Sequence, residues 1–177
     1  MRTMTIFSKF LMILCAITLV SCGGDDDKEE LSLKNAISEY TYDLGIANAG
    51  GVVTTPEATV TLNELLSQYQ FNPPIKSGTL NLTSGTSIRV TAFKEDIVLK
   101  NFILTVNGIS QKLGDLSVED TELYNQNNQQ FVINFFNKMI SQQRLTMSAT
   151  FTPSRKITDE DGLKINFVLK GDYTYYK

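Results

Sequence analysis

FILTVNGISQKL, residues 102–113, is the stretch on which the fold turns. Asn107-Gly108 lies between two alternating runs, and a two-residue type I′ turn needs positive φ at both central positions, which Asn and Gly tolerate best. Such a turn pairs Val106 with Ile109, Leu104 with Gln111 and Phe102 with Leu113. Gln111 is then the one polar residue on a face otherwise apolar, while Asn101, Thr105, Ser110 and Lys112 occupy the opposite face. A ribbon with one apolar face needs a second layer to cover it.

Upstream, TLNLTSGTSIRV (79–90) has the same form. A three-residue loop, Thr83-Ser84-Gly85 with Gly85 left-handed, sets Leu82 against Thr86 and Leu80 against Ile88, so that Leu80, Leu82, Ile88 and Val90 share one face. A two-residue loop would place Leu80 opposite Arg89 and break that pattern. Tyr40, Tyr42, Leu44 and Ile46 alternate with Glu39, Thr41 and Asp43, and Ala58, Val60 and Leu62 alternate with Glu57, Thr59 and Thr61, as half-buried strands do. Asn63 is the expected cap of a single helical turn through Glu64-Leu65-Leu66, stopped by Pro73-Pro74.

Downstream the period changes. Val132, Phe135, Phe136, Met139 and Ile140 fall at i, i+3, i+4, i+7 and i+8, which predicts an amphipathic helix over 126–141, with Phe131 and Ile133 widening its apolar face. Alternation resumes at Leu145, Met147, Ala149 and Phe151, stops at Pro153, and returns at Leu163, Ile165, Phe167 and Leu169 after the turn 158–162. Gly171 marks a bulge or bend before a last strand through Tyr173, Tyr175 and Tyr176. The predicted fold is mainly β: a β-sandwich of about seven strands with one inserted amphipathic helix, the alternative being an α+β open antiparallel sheet with the helix on one face.

The amino-terminal segment is of another kind. Arg2 and Lys9 precede FLMILCAITLV (10–20), an apolar run within the range of about 7 to 15 residues found in signal peptides and short of the roughly twenty that span a bilayer. LVSCGGDDDKEE (19–30) follows, where the run closes on a cysteine and the chain turns acidic. Leu19-Val20-Ser21-Cys22 resembles the lipobox of bacterial lipoproteins. The resemblance implies cleavage between Ser21 and Cys22, and lipidation of Cys22, which becomes the first residue of the mature chain. Gly23, Gly24, Asp25, Asp26 and Asp27 are similar to the export signal of Bacteroidota-type surface lipoproteins. That implies an outer-membrane, surface-exposed anchor, a periplasm-facing one being the alternative. The expected organisation is a leader over 1–21, a flexible acidic tether over 22–35 and a single domain over 36–177.

Composition narrows the chemistry. Without Arg2 and Lys9 the 16 basic residues become 14 against 19 acidic ones, a net charge of −5, and no Lys/Arg cluster answers to a phosphate backbone, so no nucleic acid is expected as partner. Histidine and tryptophan are absent, and no cysteine follows Cys22. A body without thiol or imidazole lacks the commonest general base, any thiolate nucleophile and the commonest zinc ligands. No G-x-S-x-G elbow, S-x-x-K set or phosphate loop occurs. No cofactor, metal or catalytic residue is expected, and the protein is read as a non-enzyme.

The remaining candidates each have a structural alternative. Asp159-Glu160-Asp161-Gly162 could hold a hard cation but lacks the ligand spacing of a calcium loop, and a solvated turn explains it. Glu119, Asp120 and Glu122 could supply paired carboxylates, or simply a solvated loop. Phe135 and Phe136, on the helix, and Tyr173, Tyr175 and Tyr176, on the last strand, are the candidate ligand-facing residues: the former over a lipid-sized cavity, the latter as a sugar-stacking face. Core packing is the alternative for Phe135 and Phe136, and a place at the core boundary with the hydroxyl reaching water is the alternative for the three tyrosines. The expected partners are therefore the membrane, through the lipid on Cys22, and an envelope protein, a lipid or a glycan.

Overall fold

The structure, a computed structural model, describes residues 9–13, 30–43, 47–71, 74–94, 96–122 and 126–177. It is mainly β, with two antiparallel sheets and one long helix. The first sheet runs β1 (Lys9–Ile13), β2 (Glu30–Asp43), β11 (Lys164–Tyr176), β6 (Ser87–Thr91), β9 (Asp120–Glu122), with β5 (Ser77–Leu82) beside β11. The second runs β3 (Val53–Thr54), β10 (Arg144–Pro153), β7 (Leu99–Val106), β8 (Ile109–Leu116), with β4 (Ala58–Thr61) beside β10. Helix α2 (Gln126–Gln142) touches β5 of the first sheet and β8 and β10 of the second, and all three contribute to one continuous apolar core.

The hairpin at Asn107-Gly108 forms as the turn chemistry requires, with φ of 49° and 72° at its two central residues. Val106 pairs with Ile109 and Leu104 with Gln111, but Phe102 lies opposite Gly114, not Leu113, because Asn101 and Gly114 take positive φ and shift the register. Gln111, the polar intruder on the apolar face, donates from Nε2 to Asn128 Oδ1 at 3.1 Å and so fastens β8 to α2.

The other expected hairpin does not form. β5 and β6 do not pair with each other; both pair antiparallel with β11, β5 along Gly171–Tyr176 and β6 along Lys164–Val168. Gly85 does take positive φ, 92°. However, the Thr83 amide still donates to the Lys170 carbonyl, and the Thr86 hydroxyl accepts from the Lys170 amide at 3.0 Å. The chain therefore loops out and resumes in the same direction. Leu80, Leu82, Ile88 and Val90 nevertheless all reach the core.

Two boundaries and one helix position also differ from expectation. β2 opens at Glu30, so residues 30–35 are strand and not tether. Its alternation is concealed by a bulge, where Lys34 and Asn35 (φ 51°) oppose the single residue Asp172, so Leu31 and Leu33 before it and Ala36 and Tyr40 after it are all buried although the parity changes. Helix α1 (Leu62–Leu66) is capped by Thr61, not Asn63: the Thr61 hydroxyl accepts from the Glu64 amide at 3.2 Å while Glu64 accepts from the Thr61 amide at 2.7 Å. On α2, Phe131 joins the buried face but Ile133 is exposed. Gly171 behaves as expected at a register shift, and a Cβ there would stand 2.5 Å from the Asn81 carbonyl oxygen, so only glycine allows β5 this close.

Candidate functional site

The two ends of the body differ in kind. At one end Glu30 pairs with Tyr176, and the Lys76 amide donates to the Tyr176 carbonyl at 2.8 Å, so β2 begins beside the end of β11. Ser21, Cys22, Gly23, Gly24, Asp25, Asp26 and Asp27 lie outside the described residues. Residues 22–29 can reach at most about 26–29 Å when fully extended. β2 then carries the body away from that point along its 14 residues, a rise of about 46 Å.

The far end is closed by Arg155. Its guanidinium donates to Asp96 Oδ1 from Nη2 at 2.8 Å and Nε at 3.0 Å, and to Asp161 Oδ1 and Oδ2 at 3.0 and 3.2 Å. Asp161 is fully buried and also accepts from the Thr158 amide at 2.7 Å. These donors, Arg155 first and Thr158 next, hold its carboxyl well below the usual carboxylate range, and the two carboxylates hold Arg155 more firmly protonated. The acidic turn is thus a latch between the 93–98 and 154–162 loops. Among the described residues no group of three or more His, Cys, Asp or Glu side chains is arranged to hold a metal ion. Beside the latch the Phe93 ring covers Gly162, which takes positive φ, yet stays 82% exposed; Val52 is 74% exposed.

Four of the five candidate ligand-facing side chains face protein. Phe135 packs edge-on against Phe131 and Phe167, with centroids 5.3 and 5.8 Å away. Phe136 contacts Tyr173 and Tyr175 at 6.1 and 6.0 Å, and those two tyrosines stack at 6.3 Å. All four are at most 2% exposed, and burial raises the pKa of both phenols. The Tyr173 hydroxyl donates to the Leu169 carbonyl at 3.2 Å. Tyr176 is half-buried. The rings of Phe135, Phe136, Tyr173 and Tyr175 form a core layer between α2 and β11, and none of these four presents an open stacking face. Of the second acidic knot, Glu119 accepts from the Ser117 hydroxyl at 2.6 Å, and Asp120 and Glu122 bound strand β9.

Sequence reasoning passed over the Arg155 latch and the helix cap at Thr61. A signal for each was present, Thr158-x-x-Asp161 and Thr61-x-x-Glu64, both with the spacing of a capping box. Comparison with protein families, with curated proteins and with solved structures returned no match for this chain.

Proposed function

We propose that the protein is a lipid-anchored component of a bacterial outer membrane, displayed at the cell surface, whose β body serves a non-enzymatic binding or assembly role. The observation that carries this reading is the position of Leu19-Val20-Ser21-Cys22: the motif closes the apolar run, and only residues 23–29 separate Cys22 from β2. Each acyl methylene contributes about 0.8 kcal/mol of membrane affinity, so two or three chains on one terminus hold durably where one does not. The ring contacts beneath α2 support a displayed body over a carrier, because a hydrophobic cargo would need space that Phe135, Phe136, Tyr173 and Tyr175 fill. The same burial weighs against a glycan platform on Tyr173 and Tyr175.

Expression in a Bacteroidota host, with intact mass and detergent-phase partition as readouts, tests the anchor. The mature chain is expected to begin at Cys22, carry acyl mass and enter the detergent phase, and Cys22→Ser is expected to send it to the aqueous phase. A chain that keeps residues 1–21, or stays aqueous without acyl mass, refutes the reading. Replacing Asp25, Asp26 and Asp27 by Ala is expected to leave the lipid in place and remove the protein from reach of protease added to intact cells.

A further inference from the structure

β2 lies second in its sheet, between the edge strand β1 and β11. β11 pairs with one side of it from Lys164 to Tyr176, while on the other side, among the described residues, only β1 pairs with it, from Lys9↔Thr41 to Ile13↔Ile37. Residues 9–13 fall in the leader that the lipoprotein reading removes, and the inference rests on that reading. Once they are gone, the backbone groups of Ile37–Thr41 that faced β1 must find water or another strand.

Open edges are ordinarily blunted by bulges, lysines or prolines. β2 concentrates such features at Lys34 and Asn35, in and beside the bulge. Ile37-Ser38-Glu39-Tyr40-Thr41 has no proline, no lysine and no register shift, and Glu39 is its one charge. We propose that maturation turns this segment into a strand acceptor, and that its occupant is an extended apolar segment of another envelope protein, added antiparallel along Ile37–Thr41.

The strand seated there indicates the chemistry of the occupant. Phe10, Leu11, Met12 and Ile13 stand opposite Tyr40, Glu39, Ser38 and Ile37, four apolar residues in succession with no acid among them. A second copy offering its own β2 in the symmetric register would set Glu39 against Glu39, which is destabilising. The chain's own tether is a poor substitute, since Gly23, Gly24 and Asp25–Asp27 are weak strand formers and carry the same sign of charge as Glu39. In strand addition the backbone bonds supply affinity and alternate side chains supply selectivity.

The test uses the 22–177 chain with Cys22→Ser, which keeps every core side chain from Leu31 to Tyr175, and the full 1–177 chain as its filled counterpart. The probe is a peptide carrying Lys-Phe-Leu-Met-Ile with flanking lysines for solubility. The 22–177 chain is expected to bind it, with amide shifts centred on residues 37–41, and the full chain to bind at least about tenfold more weakly, because β1 competes from within the same molecule. N-methylating alternate peptide amides should abolish binding in one alternation and spare it in the other, since a strand's amides point by turns toward and away from its neighbour. No binding by the 22–177 chain, shifts centred elsewhere, or equal loss from both methylation patterns overturns the acceptor. A dimer joined through β2 overturns the proposed occupant in favour of a second copy. Retention of residues 1–21 in the native host overturns the maturation step instead, so the two failures are told apart by intact mass.

Discussion

Two short loops of this protein look alike on paper and behave in opposite ways. Asn107-Gly108 and Thr83-Ser84-Gly85 each carry a positive-φ glycine between alternating strands, yet the first reverses the chain into a hairpin and the second merely interrupts it. The glycine does not decide the outcome. At the first loop two successive residues are left-handed, and the Asn107 amide is tied to the end of α2 and the start of β10: Nδ2 donates to Gln142 Oε1 and the Arg144 carbonyl at 2.9 and 2.8 Å, and Oδ1 accepts from the Thr146 amide at 3.0 Å. At the second, the buried Thr86 hydroxyl takes the place of a backbone rung on Lys170. A side chain beside each glycine therefore selects reversal or continuation.

Removing those side chains gives the largest effects. Asn107→Ala strips the Thr146 amide of its acceptor and forces a left-handed alanine, and should lower the urea-unfolding stability of the 22–177 chain by about 3 kcal/mol. Asn107→Gly keeps the backbone freedom and loses only the amide, so it should recover about 1 kcal/mol of that. A loss confined to the backbone, with Asn107→Gly equal to wild type, would show that the amide contacts are incidental. Thr86→Val keeps the shape and removes the hydroxyl, leaving the Lys170 amide without an acceptor, at about 2 kcal/mol. A change of a few tenths there would mean that the loop, not the hydroxyl, holds the chain in line.

The reversal from β10 to β11 sharpens the contrast because an ion pair holds it. Asp161 has a depressed folded pKa, so its contribution is present above its unfolded value near 4 and is lost as pH falls below that. Asp161→Asn should therefore flatten the decline of the urea midpoint between about pH 4 and 2.5, while Asn107→Ala should shift the midpoint by the same amount at every pH. Asp96 and Asp172, both also depressed, keep part of the acid sensitivity in the Asp161→Asn variant. A decline of unchanged steepness would exclude Asp161 as a source of acid lability.

What could be read in advance follows the range of the forces involved. The β7–β8 hairpin, helix α2 and the alternation of β10 and β11 are each written in neighbouring residues, and each appears where the pattern places it, save that Phe102 pairs with Gly114 and not Leu113. The partner of β5 and β6 is β11, some ninety residues downstream, and no local spacing could say that the chain continues along it. β2 was hidden from Glu30 to Asn35 because its bulge shifts the inward parity, so that composition there resembles a tether. The aromatic candidates divide on the same ground. An apolar stripe states that Phe135 and Phe136 are covered, and only the fold states that Phe167 covers the first and Tyr173 and Tyr175 the second. Cys22 stands apart, since its reading is chemical and local and draws nothing from the body.

The smallest expected effect bears on the glycines themselves. If the neighbouring side chains decide direction, Gly85→Ala and Gly108→Ala should be alike, because each sits at positive φ, 92° and 72°, and neither Cβ would be crowded. The nearest atoms are Lys170 Cδ and Lys138 Nζ, both at 3.5 Å and both on flexible side chains. Each substitution then carries only the backbone cost of a left-handed alanine, about 1 kcal/mol, and each should preserve its pairing partner in amide exchange. Should Gly85→Ala cost several times more than Gly108→Ala, or release β6 from β11, the glycine would hold the continuing strand in register and the role assigned to Thr86 would pass to it.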